Sequence, residues 1–308
     1  MGTLRAISIG TAVPRGDFDG VVHSLFDTAA NLCPGRDAGL LTLVPANGPD
    51  LPQGIRLGTP PNYSFEGKLN VGEKMTCRGG SLRAEHDRLV IELRGAKRWR
   101  CKLPSIDINE PCATTGWTAV MEALVERQRR TGVESLFTEA LQADLPRRSA
   151  ATWTLETHIR ELVEAACHLE QPSEAAIAGL IGLGEGLTPA GDDLLVGFLT
   201  GLRCTAGANR KRRAFLSAVG KTIVWLSYLT NDISRTYLVH AARGQVSQPL
   251  EDLAEAIARG EERCKLLLIA EEAMRLGHSS GMETVTGLLV GLACWGKGVA
   301  SSEKIFFH

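Results

Sequence analysis

Two periods of apolar residues divide the chain. Over roughly the first 110 residues, short apolar bursts alternate with clusters of Gly and Pro. "GLLTLV" (39–44) and "GIRL" (54–57) read as strands set apart by Pro45, Gly48, Pro49 and Pro52. "RLVIEL" (88–93) and "RWRCKL" (98–103) flank Gly95, a pattern that predicts a hairpin. Strands this short and this frequent predict a small barrel or sandwich. From about residue 113 the period becomes helical. Trp117, Val120, Met121, Leu124 and Val125 recur at 3.6-residue spacing, as do Leu155, Ile159, Leu162, Val163 and Ala166. Further helices are predicted around 194–202, 215–240, 250–258, 265–276 and 285–292. The expected architecture is α+β: a β-rich, barrel-like or sandwich module over 1–110, then a mostly α-helical domain over 111–308.

Composition narrows the class. At 44% hydrophobic and 22% charged over 308 residues, the chain reads as a soluble globular protein. A net charge of -1 gives no basic field for nucleic acid or an anionic membrane. The basic run "RGAKRWRCK" (94–102) reads as the exposed face of the hairpin. Eight cysteines without CxxC spacing predict reduced thiols of a cytoplasmic protein, with no thiolate zinc site. The N-terminus lacks the apolar core of a signal peptide, and the runs at 194–202 and 286–295 fall short of the roughly 20 residues that span a bilayer.

The stretch "IGLGEGLTPAGDD" places three glycines, a Thr-Pro and two carboxylates at the head of a helix. Thr188 is the expected cap and Pro189 the first helical residue. Amides around Gly184 and Gly186, with Thr188, suit a small anion such as phosphate or a carboxylate. Asp192 and Asp193 would cap neighbouring amides, hold a cation such as Mg²⁺, or bind a hydrogen-bond-donating group of the substrate. No GK[ST] follows, so this is not a Walker A loop.

Ninety positions later the pattern returns. "GDDLLVGFLTGL" from Gly191 aligns without gaps with "GMETVTGLLVGL" from Gly281, matching Asp193 to Glu283 and Gly197/Gly201 to Gly287/Gly291. Either the two helices share packing glycines independently, or they form two halves of one device with converging N-termini. The second reading predicts axes closer than the usual 8–10 Å, with His278 and Ser279 within about 10 Å of Thr188 and Asp193. Ser280 with Glu283 fits a capping box and leaves His278 and Ser279 unexplained; His278, in a glycine-flanked turn, is either a satisfied structural residue or a catalyst. A third polar segment, "WLSYLTNDISRTYLVHAARG", puts Ser227, Thr230, Asn231 and Ser234 on one face of a predicted helix, where they line a site or meet solvent.

"GLGEGLTPAGDD", "TNDISRTYLVHAARG" and "GHSSGMETVTGLLVGL" together resemble a bacterial family that includes the small subunit of the oxamate carbamoyltransferase of anaerobic allantoin breakdown. The resemblance covers residues 170–295 and is faint in the N-terminal half. It implies interconversion of oxalurate and phosphate with oxamate and carbamoyl phosphate, alongside other protein subunits, one of them acyl-CoA synthetase-like. On that reading His278, Ser279 and Asp193 are the catalytic candidates. Gly184, Gly186, Thr188, Asp192, Asn231, Ser280 and Gly281 are the substrate-binding ones. Mg²⁺ is the one candidate cofactor, through Asp192 or Asp193. The rival expectation is a non-catalytic subunit that binds an anion and completes a partner's active site.

Overall fold

Strand alternation closes the first unit into a barrel. The computed structural model describes residues 2–35, 39–86, 88–131, 150–277 and 279–297. They fall into two compact units, Met1–Cys101 and Lys102–His308. The first contains β1 (Gly2–Gly10), β2 (Phe18–Phe26), β3 (Ala29–Cys33), β4 (Leu41–Val44), β5 (Gly54–Leu57), β6 (Lys74–Arg78), β7 (Ser81–Ala84), β8 (Leu89–Glu92) and β9 (Lys97–Trp99). The sheet runs β5-β4-β3-β2-β6-β7-β8-β1, and pairing of β1 with β5 closes eight strands on themselves. Closure removes the exposed edges that an open sheet would present. Residues alternate about the wall: Met75, Cys77, Leu82 and Ala84 are buried while their strand neighbours are not. Inside, they meet Leu32, Leu43, Ile55, Leu57, Phe65 and Ile91.

The expected hairpin does not form. β8 and β9 both run parallel to β1, the first against Gly2 to Arg5 and the second against Ser8 to Gly10. Between them the chain bulges at Gly95, where φ is +80°. β8 lies within the first expected strand and β9 covers only the start of the second, but partner choice was decided by the unpaired side of β1, which the local pattern does not encode.

The second unit is helical: α1 (Pro111–Thr131), α2 (Ala150–His168), α3 (Glu174–Ala178), α4 (Ala190–Ala206), α5 (Arg210–Leu226), α6 (Asp232–Ala242), α7 (Gln248–Arg259), α8 (Arg263–Met274) and α9 (Ser280–Ala293). The helix expected over 215–240 is two. A 3-10 turn, Ser227–Leu229, ends α5, and Asn231 starts α6 by accepting from the amides of Ile233 and Ser234. The polar cluster read as a helix face is thus partly a break, for which Asn has the right cap chemistry.

At the centre lie α4 and α9, buried almost all round, as their near-continuous apolar sequence requires. They pack through their glycines, and reciprocally. A Cβ on Gly197 would overlap the carbonyl of Thr284 and lie 2.7 Å from the amide of Leu288. A Cβ on Gly287 would overlap the carbonyl of Leu194 and lie 2.9 Å from the amide of Phe198. Gly201 meets Leu288 and Leu292, while Gly291 meets Phe198 and Leu202. Each contact maps onto its counterpart by the 90-residue offset of the repeat, so the helices run parallel about a pseudo-twofold axis. Backbone touches backbone. Both N-termini therefore emerge at the same end.

This packing makes a stability prediction. Gly197→Ala and Gly287→Ala should each cost the helical unit about 3 kcal/mol, because the methyl meets backbone that side-chain motion cannot clear. Gly116→Ala, whose Cβ would find its nearest neighbour at 3.5 Å, should be neutral or stabilising by up to about 1 kcal/mol. Urea unfolding followed by circular dichroism measures all three.

Candidate functional site

The loop before α4 turns on glycines in the left-handed region. Gly182, Gly184 and Gly186 have φ of +75°, +107° and +102°. A Cβ on Gly182 would stand 2.9 Å from the Leu229 carbonyl, and one on Gly184 2.8 Å from the Ala190 amide. At these two positions glycine allows neighbouring backbone to close in; at Gly186 only the φ demands it. Residues Gly184 to Leu187 are exposed.

Asp192 fastens this loop. Its Oδ1 accepts from the Gly182 amide at 2.9 Å and its Oδ2 from the Thr230 hydroxyl at 2.5 Å. Burial pushes its carboxyl above the ordinary range, while those donors and the nearby Ser234 act against the rise. The Ser234 hydroxyl itself stands without a partner in hydrogen-bonding geometry. Asn231, besides capping α6, donates from Nδ2 to the Leu187 carbonyl at 3.0 Å. Asp192 and Asn231 thus strap the two ends of the loop to the start of α6.

Asp193 is different. It is 8% exposed, and its Oδ2 has no hydrogen-bond partner. The hydroxyls of Thr188 and Ser280 lie 2.5 Å apart and face it. Those residues are separated by 92 positions and joined only by the parallel packing of α4 and α9. Across the pseudo-twofold lies Glu283, also buried. Burial pushes the Asp193 carboxyl up to about 8; Ser280 and Thr188 oppose this, and Asp192 and Glu283 add to it. Tyr237 of α6 is pushed up to about 12 by burial, with the Asp193 charge contributing.

Neither helix is capped as expected. Pro189, not Thr188, is the cap residue of α4, and Ser279, not Ser280, is that of α9. Neither supplies a side-chain cap bond. The Pro189 carbonyl accepts from Asp192 and Asp193, and the Ser279 carbonyl from Met282 and Glu283, repeating the same first turn. Because Thr188 and Ser280 bond each other, their hydroxyls are diverted from capping. Gly281 is a packing residue: its amide donates to Leu276, and a Cβ would lie 2.7 Å from the Met274 carbonyl. His278 lies outside the described residues.

Thr188, Asp193 and Ser280 therefore come together, with Asp192 and Asn231 behind the loop and Ser279 at the head of α9. Sequence reading did not single out Tyr237, and it took Glu283 as a cap partner. The alignment of Glu283 with Asp193 was the available signal. Among the described residues, no group of three or more His, Cys, Asp or Glu side chains is placed to hold a metal ion.

Comparison with known families bears on the same segment. Residues 180–292 match the family described as oxamate carbamoyltransferase subunit AllH, and residues 5–98 match the AllH family N-terminal domain. The chain belongs to the AllH family. The first match begins at the loop and ends in α9, so it encloses both converging helix starts. As a member of a carbamoyltransferase subunit family, the chain works with protein partners. No solved structure matches it. No described helix is long and apolar enough to cross a membrane.

Asp193 also makes stability depend on pH. The native state holds a proton that the unfolded chain releases near the ordinary value of 3.8. Native protein thus binds more protons between about pH 4 and about pH 8, and stability falls as pH rises through that window. The fall should amount to several kcal/mol. Asp193→Asn removes it. The melting temperature of the variant, relative to the parent, should climb from pH 5 to about pH 8 and level off above it, and a constant difference across that range would contradict the assignment.

Proposed function

We propose that this chain supplies a reacting part of the carbamoyltransferase site, in which the Thr188–Asp193–Ser280 cluster handles a small carboxylate-and-amide substrate of the oxamate or oxalurate class. The observation that carries this reading is the buried, unpartnered Oδ2 of Asp193 beside two hydroxyls at converging helix starts. A buried carboxyl oxygen that no protein group satisfies costs stability unless a ligand uses it.

The chemistry suits a carboxyl whose pKa is about 8, because a proton donor works best with a pKa close to the working pH. In the direction of carbamoyl phosphate formation, a phosphate oxygen bonds to the ureido carbon of oxalurate. The bond from that carbon to the oxamate nitrogen breaks, the nitrogen takes the Asp193 proton, and the proton given up by the hydrogen phosphate restores the carboxyl. In reverse, the Asp193 carboxylate accepts a proton from the attacking nitrogen. The Thr188 and Ser280 hydroxyls orient the substrate oxygens, and the exposed amides of Gly184 and Gly186 at the head of α4 favour phosphate or the substrate carboxylate. Positioning and charge stabilisation, without a covalent intermediate, are enough for such a transfer.

Asp193→Asn in the assembled enzyme should lower kcat about a hundredfold or more while the complex stays intact. Thr188→Val and Ser280→Ala should act mainly on KM. Carbamoyl phosphate formation by purified enzyme reconstituted with each variant measures both. Full activity of an intact Asp193→Asn complex would instead make the chain a non-catalytic, anion-holding subunit.

A further inference from the structure

Beside the loop, the helical unit exposes a cluster of large apolar side chains. Trp225 is 70% exposed and Tyr228 62%, and Val224, Leu229 and Leu187 are exposed with them. Among the described residues of this unit, Leu268 is the one other large hydrophobic so exposed. Val224 with Tyr228, and Trp225 with Leu229, are spaced four apart along the end of α5 and the turn that follows, so they form a ridge. The loop that carries the exposed Leu187 is tied to the end of this ridge through its backbone. The Leu187 carbonyl is held by Asn231, and the Leu229 carbonyl stands against Gly182. Soluble proteins rarely leave such a patch bare without a partner for it, and exposed Trp and Tyr are the residues most enriched in binding hot spots.

The ridge continues into a basic cleft of about 670 Å³. Val224 and Lys221, one turn before Trp225, lie on its wall, joined by Arg203, Arg213 and Arg243. Among the described residues no carboxylate lines it. Arg203 and Arg213 each give a donor to a carbonyl near a helix end, those of Ala242 and Gly207. Lys221 and Arg243 are exposed. An apolar centre with a cationic flank specifies its complement.

We infer that this ridge and cleft form one docking surface for a different protein subunit of the carbamoyltransferase, which presents an apolar pocket edged by Asp or Glu side chains. A second copy of this chain fits poorly, since a twofold contact through the surface would turn the same cations towards one another. The partner would cover Leu187 and the exposed loop, shutting water out of the neighbouring Thr188–Asp193–Ser280 cluster. The inference rests on membership of a subunit family and on the surface itself. It does not depend on Asp193 acting as an acid, and its test reads assembly instead of turnover.

The chain is co-expressed with the other subunits of the carbamoyltransferase, and complex formation is followed by size-exclusion chromatography with light scattering and by titration. Trp225→Ser/Tyr228→Ser should weaken assembly by about thirtyfold or more. Because both side chains are exposed, the melting temperature of the isolated variant should stay close to that of the parent. Lys221→Glu/Arg243→Glu should slow association and reduce its salt dependence, while Leu268→Ser should assemble normally. Three results would overturn the proposal. One is undiminished assembly of the Trp225/Tyr228 variant. Another is a homodimer of the parent that this variant converts to monomer. The last is stabilisation of the isolated parent by pyrophosphate that is lost in Lys221→Glu/Arg243→Glu, which would make the cleft a small-anion site.

Discussion

Backbone contact between two parallel helices governs the helical unit. Where Gly197 faces Thr284 and Gly287 faces Leu194, no side chain separates α4 from α9. Parallel packing sets the two helix dipoles side by side, which is unfavourable in itself, and brings both positive ends to one place. Acidic residues in both first turns, Asp192 and Asp193 on α4 and Glu283 on α9, lie where those ends are felt. The same constraint explains why Thr188 and Ser280, far apart in the chain, come within hydrogen-bonding distance.

Adjacent carboxylates then diverge through their surroundings. Asp192 meets an amide and a hydroxyl on its two oxygens and serves to hold the loop. Asp193, one residue on, turns towards the axis, where burial and two neighbouring acids favour its proton. One latch and one carboxyl with a raised pKa arise from the same dipeptide. Flexibility in the Gly-rich loop is correspondingly limited, since Asp192, Asn231 and the Gly191 amide tie it down while Gly184 to Leu187 remain at the surface.

Much of this was legible in the sequence where spacing carried the physics. The change from short apolar bursts between Gly and Pro to period 3.6 separates barrel from helices, and the 90-residue echo of glycines carried the packing of α4 on α9 as one of its two readings. What was not legible depended on partners. Whether Asn231 sits on a helix face or caps a new helix turns on Leu187, whose carbonyl it meets from another segment, and on Asp192, which holds the preceding Thr230. β8 and β9 looked like a hairpin because the vacant side of β1 is invisible from their own residues. Thr188 and Ser280 have cap chemistry, yet each hydroxyl found the other first.

Convergence of the two helix starts is the claim on which the site stands, and a cross-link tests it directly. In a Thr188→Cys/Ser280→Cys variant the new thiols should occupy the places of hydroxyls now 2.5 Å apart, close enough for a disulfide with modest adjustment. Mild oxidation of the folded protein, followed by proteolysis and mass spectrometry, should yield a peptide pair joined through positions 188 and 280 in high yield. Free alkylation of both thiols in a correctly folded variant, with no such link, would contradict the account.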